Sequence, residues 1–405
     1  MQIQDLEHSL LEGYRVLDLT QGVAGPYCTK LLANYGADIV KIEQPGIGDG
    51  SRNAEPFAGD TPGPERSLLF YYLNCDKRSI TLDVSTPEGR AIFERLARSA
   101  DLVVESFPTG TMDEWNLGFE SLQRVNPSIV LTSLTPFGAT GPYKDYLSSH
   151  IVQCGYGSWS HGVGEPDGAP VQTGGWIAHY IAGATASVAT LAAMWNRESN
   201  GQGQHVDSAA IAAAADACGY TSVAYDYYRV LRARMTANTF PGAVPTSDGW
   251  IGLNALSYRN WQRLCQLMDR EDLLDDHRFD NLRGRLANGP ELRDITIPWA
   301  IERSKWDIME EGQKLGASVG AVLTPADILE IEHHQARNYF HEAAHAEIGT
   351  VTAPGYPFRV MSDDGPEPPA WPPAPTLGQH TSEIFGDELG YSEDELRRLR
   401  ESRVI

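Results

Sequence analysis

The chain has 405 residues, enough for two hydrophobic cores, and its content of 41% hydrophobic and 21% charged residues is that of a globular protein. Its formal net charge of -22 argues against nucleic acid as a partner, because phosphate binding requires clustered Lys and Arg. No apolar run reaches the roughly 18 residues that a membrane helix needs, and the first residues do not form a signal peptide.

The first part of the chain alternates between short β-rich runs and helical segments. Strands are predicted at 14–20, 36–43, 78–83, 101–105 and 128–133, and helices at 28–35 and 87–99. Repetition of strand and helix in this way indicates a parallel sheet with helices on its faces.

The remaining chain is predicted to be mainly helical. Alanine-rich helices are predicted at 179–196 and 206–234, a turn and strand at 242–253, amphipathic helix through most of 257–318, and a short strand at 319–323. Trp261, Leu264, Leu267 and Met268 recur at helical spacing and should be buried. Eight prolines make 354–375 an extended segment, and a capping box at Ser392 starts a last helix at 392–400.

The cysteines and histidines have no spacing typical of disulfide or metal sites. We therefore predict a reduced, cytoplasmic protein without a metal site. Cys28, Cys75 and Cys154 are expected to be buried as small apolar residues.

A set of short segments follows one another in a characteristic order. They are LEGYRVLDLT (11–20), AGP (24–26), GADIVKIE (36–43), GD with Arg52 (48–52), NCDKRSITLD (74–83), DLVVESF (101–107), PFGATGP (136–142), RESNGQGQHVD (197–207), SDG (247–249) and LGQHT (377–381). Together they resemble the class III CoA-transferases, the formyl-CoA transferase type that also includes α-methylacyl-CoA racemase. The resemblance covers nearly the whole chain.

This resemblance implies an α/β fold with two domains. A large Rossmann-like parallel-sheet domain would be built from both termini, over residues 1–224 and 326–405, and a smaller α+β domain would span 225–325. Two chains of this family thread through one another, so an interlocked, ring-like dimer is expected.

Catalysis in the family depends on an aspartate, and the resemblance places His179 at that position. The aspartate attacks a CoA thioester and forms an acyl anhydride, while backbone amides stabilise the oxyanion. An imidazole cannot form the same mixed anhydride. Three interpretations are open: a hydrogen-bonded histidine in a degenerate site, a histidine that acts as base or nucleophile, or replacement by a nearby acid such as Asp167.

The resemblance also implies a CoA site formed by Gln21, Gly22, Val23, Ala24, Lys77 and Phe107. Two positions depart from the family, since Glu114 replaces an arginine that contacts the nucleotide and Val23 replaces a glutamine. Phe107 could instead be a core aromatic residue. Lys41 and Arg52 could be either structural ion-pair partners or ligands of CoA.

We therefore expect a non-catalytic subunit of a CoA-transferase that carries CoA from a donor such as succinyl-CoA to a carboxylic acid. Its partner would be a homologous chain that keeps the aspartate, as in benzylsuccinate CoA-transferase. One alternative is an autonomous homodimeric CoA-transferase or an acyl-CoA isomerase or racemase, although Ser148 occupies the position of the racemase histidine and His150 lies two residues away. Another alternative is a scaffold without turnover.

Overall fold

The computed structural model describes residues 10–231, 234, 239–358 and 372–405. The chain divides into two compact units. The first unit comprises Met1–Ser160, Gln172–Arg229 and Asn338–Ile405, and the second comprises His161–Val171 and Val230–Arg337. The residues of the predicted CoA site and His179 belong to the first unit, whereas Asp167 belongs to the second.

The strands are β1 (Arg15–Leu19), β2 (Asp38–Glu43), β3 (Arg78–Thr81), β4 (Leu102–Glu105), β5 (Val130–Thr135), β6 (His205–Ala209), β7 (Gly242–Thr246), β8 (Gly249–Leu253), β9 (Val319–Val322), β10 (Phe340–His345) and β11 (Gly349–Pro354). The first six form one sheet in the order β3-β2-β1-β4-β5-β6. All of its strand pairs are parallel. The predicted parallel sheet is thus confirmed, and its strand order is that of a doubly wound Rossmann-type sheet.

The helices are α1 (Ala24–Ala33), α2 (Leu68–Asn74), α3 (Pro87–Ala97), α4 (Thr111–Glu114), α5 (Phe119–Val125), α6 (His150–Tyr156), α7 (Trp159–Gly162), α8 (Ile177–Asn200), α9 (Ala210–Ala217), α10 (Gly219–Tyr228), α11 (Tyr258–Leu267), α12 (Leu282–Ala287), α13 (Gly289–Ala300), α14 (Lys305–Leu315), α15 (Pro325–Glu330), α16 (Glu332–Ala336), α17 (Thr381–Glu383) and α18 (Glu393–Glu401). Pro87 occupies the first turn of α3, and the predicted capping box between Ser392 and Glu395 is present at the start of α18.

The parallel sheet is covered on both faces, because successive strand residues point to opposite sides. Val16 of β1 packs in one core with residues of α1 and α8. Leu17 packs in the other core with residues of α3 and of the C-terminal helix α18. Both termini of the chain therefore contribute to the first unit.

The long helix α8 is packed against this sheet along one face. Its buried residues include Ala186 and Thr190, and the Thr190 hydroxyl lies 2.8 Å from that of Thr132 on β5. By length and composition α8 could cross a membrane, but a single helix of this kind is weak evidence, and a partly buried core helix passes the same test.

The predicted helix over 206–234 is wrong at its start, because His205–Ala209 forms the edge strand β6, which pairs with β5. Gly201 ends α8 in a left-handed conformation. Gly203 then passes so close to β5 that a Cβ atom there would lie 1.9 Å from the carbonyl oxygen of Ile129. These two glycines turn the chain back into the sheet before α9 begins.

The second unit contains an antiparallel sheet in the order β7-β8-β9. The sequence predicted a turn and a strand over 242–253, and the segment forms the hairpin of β7 and β8. Trp261, Leu264, Leu267 and Met268 are buried in the core of this unit, as predicted. The β10–β11 hairpin of the first unit was not predicted. In the predicted extended segment 354–375, residues 359–371 lie outside the described residues.

Candidate active site

The segment from Thr20 to Ala24 follows β1 at the point where the strand order reverses. β1 lies between β2 and β4, and in open parallel sheets ligands bind in the crevice at the carboxyl ends of such strands. Gln21 is exposed, Val23 is buried, and Gly22 and Ala24 are intermediate. These four residues of the predicted CoA site therefore lie together at the switch point.

Lys77 supports this loop from the buried side. Its side chain is fully buried, and its ammonium group lies 3.0 Å from Asp18 Oδ2. It also contacts the carbonyl oxygen of Pro26 at 3.0 Å, the hydroxyl of Thr29 at 2.8 Å and Oδ1 of Asn74 at 3.0 Å. Because an ammonium group has three N–H donors, these protein acceptors saturate it.

Asp18 and Asp49 join the loop to two buried lysines. The Asp18 carboxylate accepts hydrogen bonds from the backbone N–H and the hydroxyl of Thr20. Asp49 accepts the Gly22 N–H at 3.0 Å and pairs with Lys41 at 2.8 Å. Although burial alone would raise it, the pKa of Asp18 is lowered, because Lys41, Lys77 and the neighbouring hydroxyls favour the carboxylate. Asp18, Asp49, Lys41 and Lys77 thus form a buried cluster with no net charge that supports the loop.

Lys41 and Arg52 are occupied as ion-pair partners. Lys41 donates to the carbonyl oxygen of Thr20 at 2.9 Å in addition to its contact with Asp49. Arg52 binds Glu43 through two nitrogens, at 2.7 and 2.8 Å, and its guanidinium stacks 3.7 Å from the centre of the Phe70 ring. These contacts are those of structural ion-pair partners, for Lys41 as well as for Arg52.

The loop after β4 lies beside the loop after β1. The backbone N–H of Gln21 donates to Ser106 Oγ at 2.9 Å, which connects the β1 loop to the β4 loop. Phe107, the next residue, is partly buried and packs edge-to-face on Trp115 at 5.1 Å. Glu114, which the resemblance places at the position of an arginine, is exposed on α4. Phe107 and Gln21 therefore lie on adjacent loops.

Helix α8 places His179 at the same end of the sheet as the loop after β1. At Gly183 a Cβ atom would lie 2.4 Å from the carbonyl oxygen of Ala24, so only glycine permits this approach of α8 to α1. Tyr180 packs edge-to-face on Tyr27 of α1, with ring centres 4.8 Å apart. The first turns of α8 and α1 are thus packed together.

The His179 imidazole is half-buried between α6 and the residue before α8. Its Nδ1 lies 3.1 Å from Oε1 of Gln153, and its ring stacks on Trp176 with centres 5.4 Å apart. Burial lowers the pKa of His179 to about 4, with a smaller contribution from His150. The side chain is therefore neutral at pH 7.

His150 lies beside His179, which the sequence did not indicate. The two ring centres are 5.6 Å apart. His150 Nε2 accepts the backbone N–H of Ala178 at 3.4 Å and lies 3.5 Å from Cys154 Sγ. Burial lowers the pKa of His150 as well. A separation of 29 residues hides this pair in the sequence, because it depends on the packing of α6 against α8.

The described residues around His179 do not include a carboxylate that affects its pKa. Asp167, the alternative acid considered from the sequence, belongs to the second unit. The groups that contact the imidazole are an amide, an imidazole and an indole. This arrangement offers neutral hydrogen bonding and proton transfer, but none of these groups can form an acyl anhydride.

The thiols are unpaired, and Cys28, Cys75 and Cys154 are buried, as predicted. Burial raises the pKa of Cys28 to about 12, so this thiol is inert at neutral pH. Among the described residues no group of three His, Cys, Asp or Glu side chains is placed to hold a metal ion.

Comparison with known proteins gives matches over nearly the whole chain. The sequence model described as "CoA-transferase family III" matches residues 11–381. A succinyl-CoA–D-citramalate CoA-transferase of Chloroflexus aurantiacus is 32% identical and is aligned over 98% of both chains. The beta subunit of a succinyl-CoA–L-malate CoA-transferase of the same organism is 29% identical over 98% of both chains, and the alpha subunit is 30% identical over 98% of this chain and 92% of its own.

The fold has a close counterpart among solved structures. A CaiB/BaiF family protein from Brucella suis superposes with a TM-score of 0.82 at 28% identity, over 94% of this chain and 100% of that one. CoA-transferases use CoA thioesters as substrates.

Proposed function

The chain belongs to CoA-transferase family III, and we propose that it is the non-catalytic subunit of a heteromeric enzyme that moves CoA from succinyl-CoA to a carboxylic acid. The observation that carries this proposal is the environment of His179. A neutral imidazole held by Gln153 occupies the position expected for the nucleophile. The partner would be a homologous chain with an aspartate there.

The chain would be unable to form the acyl anhydride because it lacks the carboxylate at this position, not because it lacks the family fold. An anhydride intermediate requires a carboxylate, and an acyl-imidazole would be open to hydrolysis. Asp167, in the second unit, is not proposed as a substitute. The loops around the site keep the family architecture, so the chain completes the assembly while the partner supplies the nucleophile.

The proposed CoA site consists of Gln21, Gly22, Val23, Ala24 and Phe107, with Lys77 behind them. The loop residues and Phe107 lie on adjacent loops that follow β1 and β4. We assign Lys77 the role of fixing the loop rather than of contacting CoA, because its donors are already used. We expect the exposed carboxylate of Glu114 to weaken the contact with the nucleotide part of CoA.

Two exposed apolar stripes support association with a second chain in the interlocked form. On α8, Val188 is 68% exposed and Trp195 78%. On α10, Val223 is 69% exposed and Tyr227 81%. Each pair is spaced to lie on one face of its helix, and exposed apolar patches of this kind mark interaction sites. A homologous subunit that wraps around these helices would bury both stripes.

The acceptor acid is proposed to be a dicarboxylic acid. Relatives of this chain are named for D-citramalate and L-malate, which are both dicarboxylates. An aromatic member of the class, such as benzylsuccinate, is compatible with Trp176, whose ring stacks on His179. We also propose that the small domain spans residues 225–325 and that the protein acts in the cytoplasm.

The experiment is a comparison of the chain alone with the chain co-expressed with a family member that keeps the aspartate. CoA transfer from succinyl-CoA to a dicarboxylic acid should require both chains. Replacing the aspartate of the partner by alanine should abolish transfer, whereas His179→Ala should not abolish it. Transfer by the isolated chain would reject the proposal.

A second candidate is an autonomous enzyme that moves a proton beside the thioester carbonyl. It is favoured by the two neutral imidazoles, His150 and His179, whose centres are 5.6 Å apart. The deep burial of His150 counts against it, since its Nε2 already accepts the Ala178 N–H. If the isolated chain exchanged the α-hydrogen of an acyl-CoA with deuterated water, this result would support the second candidate or a homodimeric isomerase. A scaffold protein would show neither hydrogen exchange nor CoA transfer.

A further inference from the structure

Gln153 lies on the face of α6 that packs against the start of α8. His150, Gln153 and Cys154 are spaced so that they share this face, and all three are buried. Gln153 is only 5% exposed, so its amide position is set by the protein rather than by solvent. Its Oε1 lies 3.1 Å from Nδ1 of His179.

This contact determines where the imidazole carries its proton. An amide oxygen only accepts hydrogen bonds, so the N–H of His179 is on Nδ1. In a neutral imidazole the other nitrogen then holds a lone pair. Nε2 of His179 is therefore an acceptor.

The surroundings also keep His179 from becoming a cation. The titratable group that faces it from α6 is His150, and an imidazolium there would repel a second positive charge. Trp176 covers one face of the ring. The neutral state thus holds through the physiological pH range, since burial keeps the pKa of His179 at about 4.

We propose that Gln153 is a positioning residue that fixes the Nδ1–H tautomer of His179, so that Nε2 accepts a hydrogen bond from a hydroxyl group on the bound acyl chain. The hydroxyl assignment rests on the proposed function, because it requires an acyl-CoA at this site. A carboxylate only accepts hydrogen bonds and cannot pair with this nitrogen. The chemical class that fits is a hydroxylated acyl group.

The tautomer is tested by nitrogen NMR of the full chain labelled with ring-¹⁵N histidine, with His179→Asn used to assign the signals. At pH 7 the Nδ1 of His179 should be protonated and Nε2 should not. Gln153→Leu should shift His179 toward the Nε2–H tautomer, because the acceptor is lost. Gln153→Glu should keep the Nδ1–H form and raise the pKa of His179, since a carboxylate favours imidazolium.

A protonated Nε2 in the wild-type chain, or an unchanged tautomer in a folded Gln153→Leu variant, would overturn the positioning role. Gln153→Glu keeps the side-chain shape, so it decides the question if the leucine variant does not fold. A merely structural glutamine would leave the tautomer unmoved in the leucine variant and the His179 titration unmoved in the glutamate variant.

The ligand class is tested by calorimetric titration of the complex with succinyl-CoA and with malyl-CoA, its hydroxylated counterpart. Malyl-CoA should bind about fivefold more tightly, as expected for one net hydrogen bond. His179→Leu should remove this preference. Equal affinities in the wild type would overturn the hydroxyl assignment. Binding of neither thioester would overturn it together with the proposed CoA site, whereas the NMR experiment would still decide the role of Gln153.

Discussion

The close approach of α8 to α1 makes Gly183→Ala a sharp test of the site architecture. The added Cβ would lie 2.4 Å from the carbonyl oxygen of Ala24 and 3.2 Å from the backbone nitrogen of Cys28. Ordinary contacts begin at 3.4 Å, so the helices must separate by about 1 Å at this point. Both neighbours are backbone atoms, which cannot rotate away.

The expected cost combines two opposing effects. Overpacking of this size destabilises proteins by roughly 1–3 kcal/mol. The better helix propensity of alanine offsets up to about 1 kcal/mol. We therefore expect Gly183→Ala to lower the free energy of unfolding by about 1–2 kcal/mol and, by displacing Ala24, to weaken CoA binding.

A matched control is available on α6. At Gly155 an added Cβ would have no heavy atom within 4 Å, so Gly155→Ala should raise the free energy of unfolding by about 0.5–1 kcal/mol. Urea unfolding at one protein concentration, followed by tryptophan fluorescence, measures both variants. If Gly183→Ala were as stable as Gly155→Ala, the close packing of α8 on α1 would be refuted.

Three further predictions concern charge, pH and association. Lys77→Met should lower the free energy of unfolding by about 3–5 kcal/mol, because it leaves Asp18 buried without its partner, and adding Asp18→Asn should recover most of the loss in the same urea experiment. Because the pKa of His179 is lowered to about 4 in the folded chain, the unfolded chain binds this proton at a higher pH than the folded chain does. The free energy of unfolding should therefore fall as the pH falls from 6.5 to 4, by up to about 3 kcal/mol relative to the His179→Asn variant. Equal pH profiles of the two proteins would contradict this. Replacing both Trp195 and Tyr227 by glutamate should abolish subunit association in analytical ultracentrifugation without unfolding the chain. An unchanged sedimentation coefficient would contradict the assignment of the two stripes to the subunit interface.

Local patterns predicted the sheet well where the chain alternates between strands and helices. The runs that form β1 to β5 are short, apolar and bounded by turn residues, so their boundaries agree within a few residues. Residues 206–209 are predicted to be helical because they run directly into the alanine-rich α9. Only the passage of Gly203 against Ile129 reveals that this segment joins the sheet.

The site could be predicted only in part, because its geometry depends on tertiary packing. The order of the motifs predicts a CoA site at Gln21–Ala24 and Phe107 and a nucleophile position at His179. The structure places Gln21 and Phe107 on adjacent loops after β1 and β4. The partners of Lys77 could not be read from the sequence, since they come from β1, α1 and α2. The neighbourhood of His150, Gln153 and His179 likewise requires α6 to pack against α8.

Intact-mass spectrometry of the purified chain after incubation with succinyl-CoA tests most directly whether this polypeptide can carry an acyl group. The His179→Asp variant is the comparator, because it restores a carboxylate that can form the anhydride. We expect a succinyl adduct on the variant and an unmodified mass for the wild-type chain. A succinyl adduct on the wild-type chain would contradict the assignment of a non-catalytic subunit.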